Sequence, residues 1–306
     1  MKPEIRSGFS RYTALPPLLL IIILALMVRD FLQLQNILNI GAQIAGLLIA
    51  SLGQLVVTLV AGIDLSVGSV VSLTSALVAV NVDPTEGVLL ALAAGLVVGA
   101  VNGLGVTLGG IHPLVMTLTT TTFVQGLTYL VLPIPGGHVP PGISRWAGGS
   151  WLGVPVGLWW CLASMGCVAL VLHRTRAGLH LFAVGANPRS AQLNGLPITA
   201  IVVGAYVASS LLAVVAGLYL VARVGAGDPT LGASMALETV AVVTLGGVQL
   251  TGGIGSVRGV ACGALTLGLV TNGINLFGAS PFLRGIITGV LLALAVCAQR
   301  RRTLGL

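Results

Sequence analysis

Charge is what this sequence has least of. Of 306 residues only 7% are Asp, Glu, Lys or Arg, while 56% are hydrophobic, and the mean hydropathy is +1.06. So little polar surface cannot cover a water-soluble core holding that many apolar side chains, which excludes a soluble enzyme or binding domain. No polar stretch is long enough to form a separate soluble domain. The short alternating segments of a membrane β-barrel are missing as well.

Clustered chemistry is equally scarce. The four cysteines, Cys161, Cys167, Cys262 and Cys297, lie inside apolar runs without CxxC spacing, so neither a metal site nor a disulfide framework is indicated, and they read as small packing residues. His112, His138, His173 and His180 are scattered without carboxylates at ligand spacing, so no metal is expected. The glycine-rich stretch from Gly246 to Ser256 has neither the Lys-Ser/Thr ending of a phosphate-binding loop nor a strand before it. No cofactor and no catalytic residue is therefore expected, and the chain is not expected to hydrolyse ATP by such a loop.

What is present is a succession of apolar runs punctuated by Gly, Pro and charge. Each hydrocarbon crossing needs about 20 apolar residues, and the runs fall at 15–29, 41–62, 65–80, 87–108, 112–132, 157–173, 198–221, 236–250, 257–276 and 282–299. The span at 236–250 is the weakest, being short and carrying Glu238 at its start. The expectation is an all-α membrane protein of about ten transmembrane helices. The first run follows Lys2, Arg6 and Arg11 like a secretory signal, but it ends in Arg29-Asp30 without a small-residue cleavage site, so it is expected to stay as an uncleaved helix.

The formal net charge of +7 lies in the gaps between runs, which speaks for topology signals and against nucleic acid. Lys2, Arg6, Arg11, Arg174, Arg176, Arg189, Arg258, Arg300, Arg301 and Arg302 fall on the side of the termini, and Arg29, Arg145, Arg223 and Arg284 fall opposite. By the positive-inside rule both termini are cytoplasmic. The expected organisation is a cytoplasmic tail at 1–14, one transmembrane domain at 15–299 and a cytoplasmic tail at 300–306, with an external loop at 133–156 and a cytoplasmic loop at 174–197. Internal repetition is faint. Asn102-Gly103 recurs at Asn272-Gly273 on helices running in opposite directions, whereas Val56 to Leu59 is echoed by Val242 to Leu245 on helices running the same way.

The 43 glycines suit helices packed in lipid, where small residues let backbones approach; Gly95-x3-Gly99-x3-Gly103 and Gly259-x3-Gly263 have that spacing. Polar residues within or beside the spans are the candidate pathway groups. Asp64 and Ser66 stand between two spans, where Asp64 serves either as an N-cap or as part of a polar pathway or gate. Glu238 serves either the first turn of its helix, through the helix dipole, or a substrate. Asn102, Asn272 and Asn275 either bond between helices or face a cavity suited to a polyhydroxy solute. In the internal loop Leu179 to Val184 form a short apolar turn, Gly185 a stop, and Asn187-Pro188 the cap and first position of a second short helix. That element is either a plain basic loop or a docking surface for another protein.

Three stretches carry a resemblance. They are Gly62-Ile-Asp-Leu-Ser-Val-Gly-Ser69, the loop from Thr175 through Asn187-Pro188 to Leu193-Asn-Gly195, and Glu238 to Gly247 followed by Gly252-Gly-Ile-Gly-Ser256. In that order and spacing they resemble the ribose/xylose/arabinose permease family of ABC importers, from about residue 35 to the C-terminus. The resemblance implies a type II importer permease fold in a bacterial inner membrane, working with a second permease subunit (the same chain or a paralogue), ATP-binding cassette ATPase subunits and a periplasmic sugar-binding protein. It implies that Gly178, Phe182, Gly185, Asn187, Pro188, Leu193 and Gly195 belong to the ATPase-coupling loop. It also implies that the segments of Asp64 and Glu238 help form the pathway for a monosaccharide. Two departures stand out: Val248-Gln249 where the family often has Thr-Ser, and Thr239 where it has an acidic residue. The rival readings are a branched-chain amino-acid ABC permease and an ion-coupled secondary transporter.

Overall fold

The computed structural model describes residues 11–145, 147–280 and 282–298. Lys2, Arg6, Arg300, Arg301 and Arg302, and with them most of the two expected tails, lie outside the described residues. After a single 3-10 turn at Arg11–Ala14 the order is α1 (Leu15–Met27), α2 (Leu34–Leu59), α3 (Val67–Val80), α4 (Pro84–Thr107), α5 (Pro113–Val131) and α6 (Pro141–Ser144). A two-stranded hairpin follows, β1 (Ser150–Trp151) against β2 (Val154–Pro155), pairing Ser150 with Pro155 and Trp151 with Val154. Then come α7 (Val156–Arg174), α8 (Arg176–Ala186), α9 (Pro188–Leu193), α10 (Ile198–Val224), α11 (Met235–Leu245), α12 (Val257–Leu276) and α13 (Phe282–Ala298).

Each apolar run of the sequence is a helix. Six of them, α2, α4, α5, α7, α10 and α12, are long and apolar enough to cross a membrane, and α1, α3, α11 and α13 are shorter. The starts follow local chemistry. Asp83 caps α4 by accepting from the Thr85 N–H at 2.8 Å with Pro84 at the first helical position, and Ser256 caps α12 through the Gly259 N–H at 3.1 Å. α10 runs on past 221 to Val224 and ends at Gly225, whose φ of +76° closes the helix. The expected span 236–250 ends early, at Leu245. Gly247, Gly252 and Gly253 all take positive φ (+74°, +87° and +74°), so the chain turns there rather than continuing a helix.

α2 forms the centre, with 83% of its most apolar window buried against 22% for α5 and for α7. The small-residue stripes do what their spacing predicts. A β-carbon added at Gly95, Gly99 or Gly103 would come within 2.6 Å of Val214 Cγ2, 2.5 Å of Val207 Cα or 2.6 Å of Val203 Cα, so α4 and α10 touch backbone to backbone. Gly259 and Gly263 likewise bring α12 onto the Gly246 and Val242 carbonyls of α11. The outer surface remains apolar: Leu18, Leu26, Leu89, Val97, Phe123, Leu130, Phe282 and Ile286 are all exposed, a pattern suited to lipid.

The connecting segments gather at two ends. At one end the Gly253 N–H donates to the Leu59 carbonyl at 2.9 Å, and Gly185 of α8 sits against that same carbonyl. At the other, Gly136 and Gly227 pair in a short bridge, the His138 N–H donates to the Ala79 carbonyl at 3.0 Å, and the Asp228 N–H donates to Ser75 Oγ at 2.9 Å.

Candidate functional site

Between α2 and α3 the chain leaves the helix for seven residues, and buried polar groups from α2 itself and from three other helices converge on that break. Asp64 is fully buried. Its Oδ1 accepts from the Ser66 N–H at 3.0 Å and from the Ser66 hydroxyl at 2.5 Å, and its Oδ2 accepts from Ser209 of α10 at 2.8 Å. Asn102 of α4 donates to Ser66 Oγ at 2.9 Å and accepts from Thr120 of α5 at 2.7 Å. Thr117 of α5 donates to the Ile63 carbonyl at 3.1 Å. Gln54 of α2, its amide oriented by the network, donates to the Asp64 carbonyl at 2.9 Å and accepts from the Asp64 N–H at 3.3 Å. Asp64 thus turns the chain into α3 by gripping the N–H two residues on, as an Asx turn does, while anchoring that turn to the bundle. Asp64, Ser66 and Asn102 belong to one packed junction.

The other pathway candidates lie elsewhere. Asn272 of α12 exchanges two hydrogen bonds with Asn36 of α2, at 2.8 and 3.3 Å, and Asn275 is exposed. Glu238, in the first turn of α11, is 4% exposed and pairs through Oε2 with Arg284 of α13 at 2.7 Å. Both line a cavity of about 230 Å³. Spacing in the sequence offers no way to find Arg284, Ser209, Gln54 or Thr120. Their only signal is that polar side chains are rare within apolar runs and need partners there.

The candidates in the loop 174–197 form two helices. α8 starts earlier than the sequence suggests, at Arg176, because Thr175 accepts from the Gly178 N–H at 3.3 Å and caps it. It also passes through Gly185 to Ala186, so Gly185 is not a stop. It is the penultimate residue of α8, where any β-carbon would overlap the Leu59 carbonyl and the Gly253 N–H. Gly178 is needed against the Leu172 carbonyl in the same way. Phe182 is buried in the main core. Asn187 caps α9 by accepting from the Ser190 N–H at 2.9 Å, with Pro188 at the first position, and Gly195 leaves α9 with φ +77°. Apart from Ala191, α9 is turned outward, and Leu193 at its end is 82% exposed. Among the described residues no three His, Cys, Asp or Glu side chains are placed to hold a metal ion.

Long helices with apolar outer faces, a polar seam within them and, at one end, a seated helix α8 followed by the exposed α9 describe a multi-pass membrane protein. The chain belongs to the family described as branched-chain amino acid transport system / permease component, whose model matches residues 36–296. It is 35% identical over 292 residues to the ribose import permease protein RbsC of Bacillus subtilis, covering 93% of this chain and 91% of that protein. It is also 35% identical over 300 residues to the ribose import permease protein RbsC of Escherichia coli, covering 93% and 92%. To the L-arabinose transport system permease protein AraH of Escherichia coli it is 31% identical over 286 residues, covering 92% and 87%. No solved structure matches. The chain is thus a transport component of an ABC-type sugar importer and not itself an enzyme.

Proposed function

We propose that this chain is the membrane-spanning half of a bacterial inner-membrane importer for a monosaccharide of the ribose kind. In this reading it crosses the membrane ten times with both termini in the cytoplasm, pairs with a second permease subunit, and receives its solute from a periplasmic sugar-binding protein. Separate ATPase subunits dock at the loop 174–197. The observation that carries the substrate class is likeness over nearly full length to permeases named for ribose and arabinose. The family description speaks of branched-chain amino acids, which makes leucine the control solute.

The seating of α8 and α9 supports the following mechanism. α9 presents Pro188, Arg189, Gln192 and Leu193 outward, a mixed basic and apolar face on which an ATPase subunit docks. α8 is wedged by Gly185 against Leu59, the last residue of α2, and five residues further on stands Asp64, the hub that holds the start of α3. A push on α9 therefore arrives at the junction where α2, α3, α4, α5 and α10 meet. ATP binding and hydrolysis in the partner shift the population between outward- and inward-open states, and no covalent bond to the solute forms.

The test is uptake by proteoliposomes. The chain with its ATPase and binding-protein partners accumulates ribose in an ATP-dependent manner, does so equally after ion gradients are collapsed, and does not accumulate leucine. Accumulation by this chain alone, or loss of uptake with the ion gradient, overturns the reading.

A further inference from the structure

At the end of the bundle remote from α8 and α9, the cavity around Glu238 is bounded by α2, α10, α11, α12 and α13. Its polar lining consists of Gln43, Arg223, Ser234, Glu238, Thr271 and Arg284. Glu238 receives one hydrogen bond, from Arg284 to Oε2, and Oε1 has no partner among the described residues. The Gln43 amide and the Ser234 hydroxyl have none there either. Arg223 spends one N–H on the Ala42 carbonyl at 3.2 Å and faces no carboxylate among the described residues. Leu47, Leu220 and Leu231 supply apolar wall.

Within this lining Glu238 is buried, whereas Ser234 and Arg223 are exposed and Gln43 and Arg284 partly so, so water serves the free groups until a solute of matching chemistry replaces it. Glu238 and Arg284 satisfy each other's charge. A zwitterion, with its carboxylate toward Arg223 and its ammonium toward Glu238, is the competitor that the leucine arm of the test addresses. A lone cation finds no free carboxylate, and an apolar solute leaves the polar groups to water. A neutral molecule carrying several hydroxyls, each both donor and acceptor, answers all of them, with its C–H faces against the leucines. The volume, below the roughly 300–1,000 Å³ of pockets for drug-sized ligands, suits a single sugar ring. We propose that this cavity is a binding site for a neutral polyhydroxy solute, in which Glu238 accepts from hydroxyls while Arg284 and Gln43 donate to them. The proposal rests on the sugar-importer reading and locates a solute contact on this chain.

The experiment uses the intact transporter in nanodiscs with Thr271→Cys as the reporter, in a chain whose four native cysteines are replaced. A water-soluble thiol reagent modifies Cys at this position, and excess ribose slows the modification several-fold while equal leucine does not. Glu238→Gln abolishes the ribose protection, and an unchanged modification rate without sugar shows that this variant keeps the cavity intact. A thiol that never reacts, no protection by ribose, or protection that survives Glu238→Gln overturns the proposal. A transporter that imports ribose without protecting the thiol sinks this inference and leaves the function standing. One that imports no ribose at all sinks the function itself.

Discussion

Asp64 is the residue on which most of the interior polar structure depends. It accepts three hydrogen bonds with no cation beside it among the described residues, so its value lies in holding donors that would otherwise be stranded. Stranding a buried donor costs about 1–3 kcal/mol. Asp64→Ala should therefore lower the stability of the detergent-solubilised protein by roughly 2–4 kcal/mol, read as a drop in thermal unfolding midpoint, and Ser209→Ala by about 1 kcal/mol. Because the two share a bond, the double variant should lose less than the sum. Full additivity would show that Ser209 does not hold Asp64. The sequence offers Asp64 as an N-cap of α3, but Ser66 stands at that position and Asp64, two residues before it, shapes the turn through the Ser66 N–H instead. The sequence is silent about Ser209, which lies 145 positions away, and about Arg284, whose charge counts only as a topology signal until the fold brings it to Glu238.

At the scale of elements, glycine separates what is locally encoded from what is not. The helices themselves are legible because Gly, Pro and charge bound each apolar run, and Asn187-Pro188 announces α9 through cap chemistry confined to four residues. Gly185 shows the limit. Read locally it is a helix stop, and α8 does end one residue later, at Ala186, but what requires a glycine there is the Leu59 carbonyl pressed against it from α2. Such a requirement is set by a second element and leaves no local pattern. Gly185→Ala should consequently force α8 away from α2. In the reconstituted importer this variant should keep basal ATP hydrolysis by the partner subunits but lose most of the stimulation by sugar-loaded binding protein, with uptake falling in step. Leu193→Asp, at the exposed end of α9, should instead weaken assembly with the ATPase, seen as loss of co-purification. If both variants behave alike, α8 and α9 do not divide the tasks of transmission and docking.

For the whole molecule the question is how many times the chain crosses. Six helices meet the length of a hydrocarbon core, whereas α11 has 11 residues and so rises only about 16 Å, half of a roughly 30 Å core. Length alone would leave α1, α3, α11 and α13 as partial insertions. The contacts between connecting segments argue the other way. The last residue of α2, Leu59, touches α8 and Gly253, and the break that follows touches Gly252 through Ala61, while the far end of α3 touches the segment at His138, so α3 runs from one end of the bundle to the other. α11 likewise begins beside the Asp228 segment, which bonds Ser75, and ends at glycines that lead to Gly253 beside Leu59. Short helices complete a crossing when non-helical backbone at their ends is buried in protein; the chain at Asp64 and Gly252 is buried, and we propose that α3 and α11 cross in this way. In spheroplasts, single cysteines at Val82 and Ala233 should react with an impermeant thiol reagent, and those at Ala61 and Thr251 only after permeabilisation. If Ala61→Cys reacts from the same side as Val82→Cys, α3 does not cross, and the bundle has fewer than ten spans.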